Sequence, residues 1–158
     1  MTWRGSADGK DRLLSVLIYL IPLIDALPLG QYIIGQFPAL ILIYLPLQPI
    51  IALYYQFPFA SFIIFLVLFM GVVRNTNISH FIRFSAMQAI LMGILLALCQ
   101  MALQFLSRGF GDSLLTEALF NFVFLGALAA VFYSIIQSAL GRYAEMPTIS
   151  AAAYTQVR

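Results

Sequence analysis

FPFASFIIFLVLFMGVVRNTNISHFIRFSAMQAILMGILL, residues 57–96, reads as an apolar helix, a short polar turn carrying Arg74 and Arg83, and a second apolar helix. Such a hairpin holds its loop at a membrane surface. The rest of the chain obeys the same reading. Of 158 residues 63% are hydrophobic and 9% charged, with a mean hydropathy of +0.98. A soluble domain is about a quarter charged, so this chain has too little polar surface to stay in water. No charge occurs over residues 26–73, 84–107 or 118–141, runs of 48, 24 and 24 residues. A helix needs roughly 20 apolar residues to cross a bilayer. Backbone in hydrocarbon must satisfy its own hydrogen bonds, and the runs lack the alternation of a barrel strand, so helices are expected.

Charge counting sets the expected number of crossings. Three apolar blocks, 13–29, 38–55 and 58–73, precede Arg74, punctuated by Pro22, Pro28, Pro38, Pro46, Pro49 and Pro58. Proline removes a helix donor and pushes its predecessor out of the helical region, so the blocks should be short or kinked. If two of them span, Arg4, Lys10, Arg12, Arg74, Arg83, Arg142 and Arg158 share one compartment and Arg108 alone faces the other. Three crossings would scatter the same cations over both sides. The positive-inside rule selects the first arrangement. The expectation is all-α, a polytopic membrane protein with four transmembrane helices plus one Pro-rich re-entrant or interfacial segment. Both ends are then cytoplasmic or topologically equivalent. The segment that stays out is read as 38–55, where LPLQP spaces two prolines closely, with 13–29 as the other candidate.

The organisation is a polar arm over 1–12, a membrane domain over 13–141 and a polar tail over 142–158. The arm followed by an apolar block resembles a signal peptide, but no small-residue cleavage site follows promptly, so an uncleaved first helix is expected. Ser79 is placed to cap the third span, whose hydroxyl can accept from a free first-turn N–H. From Ser79 to Leu106 the 28 residues extend about 42 Å. Trp3, Tyr54, Tyr55 and Tyr143 fit interface anchors.

Two stripes of small residues recur every four positions: Ser85, Ala89, Gly93 and Ala97, then Gly126, Ala130, Ser134 and Ser138. Small side chains permit close helix approach, which replaces the hydrophobic drive absent in lipid. The short link 108–114 makes the two helices antiparallel, and the stripes are expected to pack against each other or against another copy.

Asp25 is the one acid inside an apolar block, and such a group is a functional candidate by default. It falls near the outer end of its helix and reads first as a turn or interface residue, with a pairing to Arg108 or a place along a path as the alternative. Gln88, Gln100, Gln104, Asn121 and Gln137 are uncharged polar groups in the last two spans, serving either helix-to-helix bonding or a hydrated path. His80 and the lone Cys99 have no metal-ligand spacing. There is no nucleophile–base pair or phosphate loop; neither catalysis nor a cofactor is expected. Eight scattered cations make no basic patch for nucleic acid.

Three stretches, RLLSVLIYLIPLIDALPLG (12–30), FPFASFIIFLVLFMGVVRN (57–75) and SHFIRFSAMQAILMGILL (79–96), resemble the twenty-kilodalton subunit family of the translocon at the inner chloroplast envelope and its cyanobacterial relatives. The likeness covers about residues 12–140. It implies a four-helix membrane protein with both termini on the stromal side, a subunit moving preproteins together with other translocon proteins, and no enzyme. Arg74, Asn75, Phe81, Arg83, Phe84, Met87 and Gln88 match the family's motif positions, without a chemical role attached. The absence of a transit peptide fits a cyanobacterial or plastid-encoded member, in a cyanobacterial plasma or thylakoid membrane or the plastid inner envelope. Competing expectations are a small-solute or ion channel and a membrane scaffold or assembly protein.

Overall fold

The computed structural model describes residues 8–146 and 149–157, and among these every regular element is helical. Trp3, Arg4 and Arg158 lie outside the described residues. The elements are α1 (Gly9–Asp25), a 3₁₀ turn (Leu27–Gly30), α2 (Gln31–Gln36), two further 3₁₀ turns (Pro38–Ile43 and Leu45–Leu47), α3 (Gln48–Gln56), α4 (Ala60–Leu66) running into a π-helical stretch (Val67–Val73), α5 (His80–Phe110), α6 (Leu114–Ala139) and α7 (Ile149–Gln156).

Only α5 and α6 are long and apolar enough to cross a membrane unaided, with 31 and 26 residues. At 1.5 Å rise they extend about 46 and 39 Å. Ser79 caps α5 through the Ile82 amide, and Ser113 caps α6 through the Thr116 amide. The expected end of α5 at Leu106 falls one turn short. Arg108 and Gly109 remain helical, and the chain turns at Gly111, whose φ of +65° suits glycine.

The proline-punctuated half is broken as expected, and the breaks are local chemistry. Pro28 turns the end of α1 into 3₁₀ geometry, bending Gly9–Asp25 against Leu27–Gln36 by 50°. Pro58 forces Phe57 into an extended conformation (φ −91°, ψ 123°), and Phe59 takes the left-handed region at φ +62° before α4 starts. A non-glycine residue there costs roughly 1–2 kcal/mol. Together they bend Leu45–Gln56 against Ala60–Val73 by 99°.

The first bent pair runs the full length of α6 in steady antiparallel register. Arg12 lies over Gly141, the Tyr32 ring meets Phe120 edge-on at 5.3 Å, and Gln36 bonds Glu117. Tyr32 also donates to Asp112 at 2.6 Å. Gly141 itself sits at φ +78°, where a Cβ would come within 2.8 Å of Arg12 Nε. The segment after α2 meets the end of α1 twice: Tyr44, between the two 3₁₀ turns, and Tyr55, near the end of α3, donate to the carbonyls of Leu23 and Ile24.

The core forms around α1, which packs on α5 and on α6 and meets each more extensively than they meet one another. Its inner face, Tyr19, Leu23, Ile24 and Ala26, is closed to solvent and shares one cluster with Met92, Phe124 and Val131. The small stripe of α5 therefore meets α1 rather than α6. Tyr19 bonds the Ser85 hydroxyl, and a Cβ on Gly93 would touch Asp25. On α6, Ser134 turns back to the Ala130 carbonyl at 2.8 Å, Ser138 is buried, and Gly126 faces outward with nothing within 4 Å of its Cβ position.

Candidate functional site: a polar groove beside a buried knot

Residues 81–90 of α5 are buried all round, unlike the rest of that helix. A helix closed on every side needs neighbours on every side, and three elements supply them: α1, the π-helical stretch and α7. Phe84 stacks on Tyr154 at 4.6 Å and meets Tyr143 edge-on at 5.0 Å, while Phe81 meets Tyr143 at 5.2 Å. His80 bonds the Tyr143 hydroxyl at 2.8 Å and the Val157 carbonyl at 3.3 Å. Ala153 and Val157 close the cluster with Val73, Met87 and Ile90. Part of the polar tail thus folds back as a helix against α5.

Two polar groups of this knot answer backbone demands. The π-helical stretch ends with the Arg74 amide bonded to the Phe69 carbonyl at 3.1 Å, leaving the Val73 carbonyl at the terminus. Arg83, 8% exposed, donates from Nε to that carbonyl at 2.8 Å. A cation at a helix C-terminus satisfies an orphan acceptor and the dipole together. Gln88, fully buried, donates to the Tyr19 hydroxyl at 3.1 Å and the Ala144 carbonyl at 2.6 Å. Arg74 is exposed and Asn75 caps the following turn by accepting from the Asn77 amide at 3.0 Å. Of the motif positions, Phe81, Arg83, Phe84, Met87 and Gln88 are therefore occupied in holding α5 to its neighbours.

Removing the guanidinium has a local consequence. Arg83→Leu is expected to loosen the π-helical stretch by about 1.5 kcal/mol, the lower range for a hydrogen bond to a charged group. Amide exchange measured in detergent should speed up at residues 67–78 and leave α6 unchanged. Lysine, a flexible point charge, should recover less than half of the loss. Equal exchange in all three proteins would remove the capping role.

The polar groups divide between the knot and a different place. Asp25 stands in a cavity of about 460 Å³ between the end of α1, α3, α4 and the middle of α5. Its Oδ1 accepts from the Tyr54 hydroxyl, and Oδ2 lies 3.3 Å from the position a Cβ on Gly93 would take. Tyr55, Ser61 and Gln100 add polar groups to walls that are otherwise apolar. Small residues on α5 make the space: Ala89, Gly93 and Ala97 all line it. The 99° bend carries α4 across its far side, and the exposed Phe62 and Ile94 stand at its mouth.

The alternative pairing of Asp25 with Arg108 does not form. Arg108 is exposed and lies fifteen residues beyond Gly93, about 22 Å along α5. Asp25 is also not at the end of its bent pair, because Leu27–Gln36 runs on beyond it at an angle of 50°. Gln100 joins Asp25 in the cavity, whereas Gln88 does not. Gln104 is exposed, Gln137 is half-buried, and the Asn121 side-chain oxygen is buried with no hydrogen-bond donor among the described residues. Tyr54 and Tyr55, read as interface anchors, instead hold the Pro-rich segment to α1. Tyr143 lies within the knot. Cys99 is half-buried, and among the described residues no three His, Cys, Asp or Glu side chains converge on a metal position.

An all-helical integral membrane protein, with a partly polar groove at the middle of its longest helix, is the class that this fold and site define. The chain belongs to the Tic20-like family: the family described as "Chloroplast import apparatus Tic20-like" matches residues 9–153. A "Tic20 family protein" of Synechocystis is 63% identical over the whole chain and 99% of the relative. "Protein TIC 20-II, chloroplastic" of Arabidopsis thaliana is 34% identical, covering 94% of this chain and 73% of that protein. "Tic20 family protein Ycf60" of Gracilaria tenuistipitata is 35% identical over 93% of this chain and 75% of the relative. The likeness read in the sequence over 12–140 extends further toward both ends.

Proposed function

We propose that this chain is a membrane subunit of a protein-translocation machinery, and that its groove is where it meets a polypeptide segment lodged in the bilayer. The observation that carries the reading is the placement of Asp25, Tyr54, Ser61 and Gln100 around one cavity at mid-helix depth, open past Phe62 and Ile94. Lipid tails gain nothing from such polar groups; a polypeptide, with its own donors and acceptors, does. The family's description as an import apparatus supports the same reading.

The topology that accompanies it has four crossings. The first is the pair bent by 50°, the second ends in Ala60–Val73 after the Pro-rich segment has lain across the end of α1, and α5 and α6 follow. Arg12, Arg74, Arg83 and Arg142 then share the cytoplasmic or stromal side, in keeping with the positive-inside rule. Partners are other membrane subunits of the same machinery or further copies of this chain, with the outward-facing surface at Gly126 available to them.

Crosslinking tests the reading. A cysteine in place of Gln100 should crosslink to a precursor arrested in transit. A cysteine in place of the exposed Leu95, and one in place of the knot's Met87, should not. Equal yield at Gln100 and Leu95 would remove the groove from the path.

A further inference from the structure

The groove contains a carboxyl group and no basic partner for it. Among the described residues lining it, Asp25 is the sole ionisable acid or base other than Tyr54 and Tyr55, and no Lys, Arg or His reaches it. Three of the described cations are engaged or distant: Arg12 lies over Gly141, Arg83 bonds the Val73 carbonyl, and Arg108 is about 22 Å away along α5. We infer that the groove receives a basic side chain, an ammonium or guanidinium group carried by the lodged polypeptide, with Asp25 as its partner. The inference rests on the polypeptide reading above and names the chemistry that the groove selects.

The geometry favours this occupant in three ways. The carboxylate's two oxygens are used differently. Oδ1 is held by Tyr54, which fixes the side chain, while Oδ2 accepts no hydrogen bond from the described residues and lies beside Gly93, whose missing side chain leaves room at the cavity wall. A fixed carboxylate with one free oxygen suits a charge-assisted hydrogen bond from outside the chain. Gln100 and Ser61 supply further acceptors for the remaining protons of such a group.

Depth excludes the other source of the same chemistry, a lipid amine. Asp25 sits level with Gly93, thirteen residues from the His80 end of α5, about 20 Å along the axis. The hydrocarbon core is about 30 Å thick, so its headgroups lie well away from that level. A lysine or arginine on a segment threaded through the bilayer arrives there with its backbone already in place. The volume of about 460 Å³ is ample for one such side chain and the turn of backbone that bears it, within the roughly 300–1,000 Å³ of ordinary binding pockets.

The test uses the full chain in native membranes, with a photo-reactive residue in place of Ile94 at the mouth. Two arrested precursors differ only in the lodged segment, one carrying a single Lys and its twin Gln at that position. The Lys precursor should crosslink at least about tenfold more than its twin, the scale set by leaving one member of a buried pair unpaired. Asp25→Asn should bring the two to equal yield. Asp25→Lys should reverse the preference when the lodged residue is Glu. Ala97→Arg keeps Asp25 and places a resident guanidinium one turn from Gly93 on the cavity wall; it too should abolish the Lys preference, which guards against Asp25 variants that misfold. Equal yields for both precursors in the unaltered protein, or a Lys preference surviving Asp25→Asn, would overturn the inference and leave the polypeptide reading standing. No crosslink from Ile94 to either precursor would overturn both.

Discussion

Gln88→Leu is expected to destabilise the chain by about 2 kcal/mol and to release its C-terminal stretch. The side chain is fully buried and donates both to the Tyr19 hydroxyl on α1 and to the Ala144 carbonyl beyond α6. One amide thus ties three parts of the fold together. An interhelical hydrogen bond in a membrane protein averages only about 0.6 kcal/mol, because the unfolded chain in lipid finds other partners. Here the loss is larger, since a buried carbonyl and a buried hydroxyl each lose a donor, and such a group costs about 1–3 kcal/mol. Leucine matches the volume closely, so packing contributes little. Thermal unfolding in detergent should show a lower midpoint, and protease should cut within residues 140–157 before it cuts α5. Gln88→Glu keeps the shape but sets a carboxylate against the Ala144 carbonyl, so it should be worse than leucine. An unchanged midpoint for both variants would show that this amide ties nothing together.

The same residue illustrates what hydropathy conveys and what it does not. Long charge-free runs, one between Arg83 and Arg108 and one between Glu117 and Arg142, marked α5 and α6 because lipid imposes length and apolarity on any crossing helix. Ser79 was legible as a cap because capping is local, needing only a hydroxyl three residues before a free amide. Prolines likewise announced the breaks near Pro28 and Pro58, though not their angles of 50° and 99°. Lateral order is another matter. Whether α5 lies beside α6 or is parted from it by α1 leaves hydropathy unchanged, since either neighbour is apolar. That is why the small stripes were readable as packing surfaces while the partner of Gly93 proved to be Asp25 on α1. Asp25 itself was visible as a costly charge, but its bond to Tyr54 depends on a turn that returns α3 to the end of α1. The fold-back of α7 was hidden because a short helix reading ISAAAYTQ has no pattern that separates it from a solvated tail.

Gly30→Leu is expected to cost about 3 kcal/mol and to abolish the register between the first bent pair and α6. Neither small stripe contains this glycine, yet it lies hard against α6. A Cβ at residue 30 would lie 2.8 Å from two carbons of the Phe124 ring and 3.0 Å from Ile34 Cδ1. The ring cannot easily yield, because Phe124 is fully buried in the α1–α6 core. Gly30 has an ordinary backbone, φ −88°, so the requirement is for space and not for conformation. Overpacking of this kind typically costs about 1–3 kcal/mol, and a leucine at a site with no room for a methyl belongs at the upper end. The strain falls on the turn Leu27–Gly30, which joins the two halves of the bent pair, so α2 is displaced and Tyr32 and Gln36 lose Asp112 and Glu117. Paired cysteines in place of Gln36 and Glu117, whose parent side chains meet tip to tip, should be joined readily by a short thiol-to-thiol crosslinker in the parent protein and poorly in the Gly30→Leu background. Gly126→Leu is the matched control: with nothing within 4 Å of its Cβ position, it should leave both the crosslink and the unfolding midpoint of the isolated chain unchanged. Equal crosslinking yield in all three backgrounds would mean that α2 and α6 are not held together through Gly30. Phe124→Ala combined with Gly30→Leu should recover part of the loss, because the space one change takes the other returns.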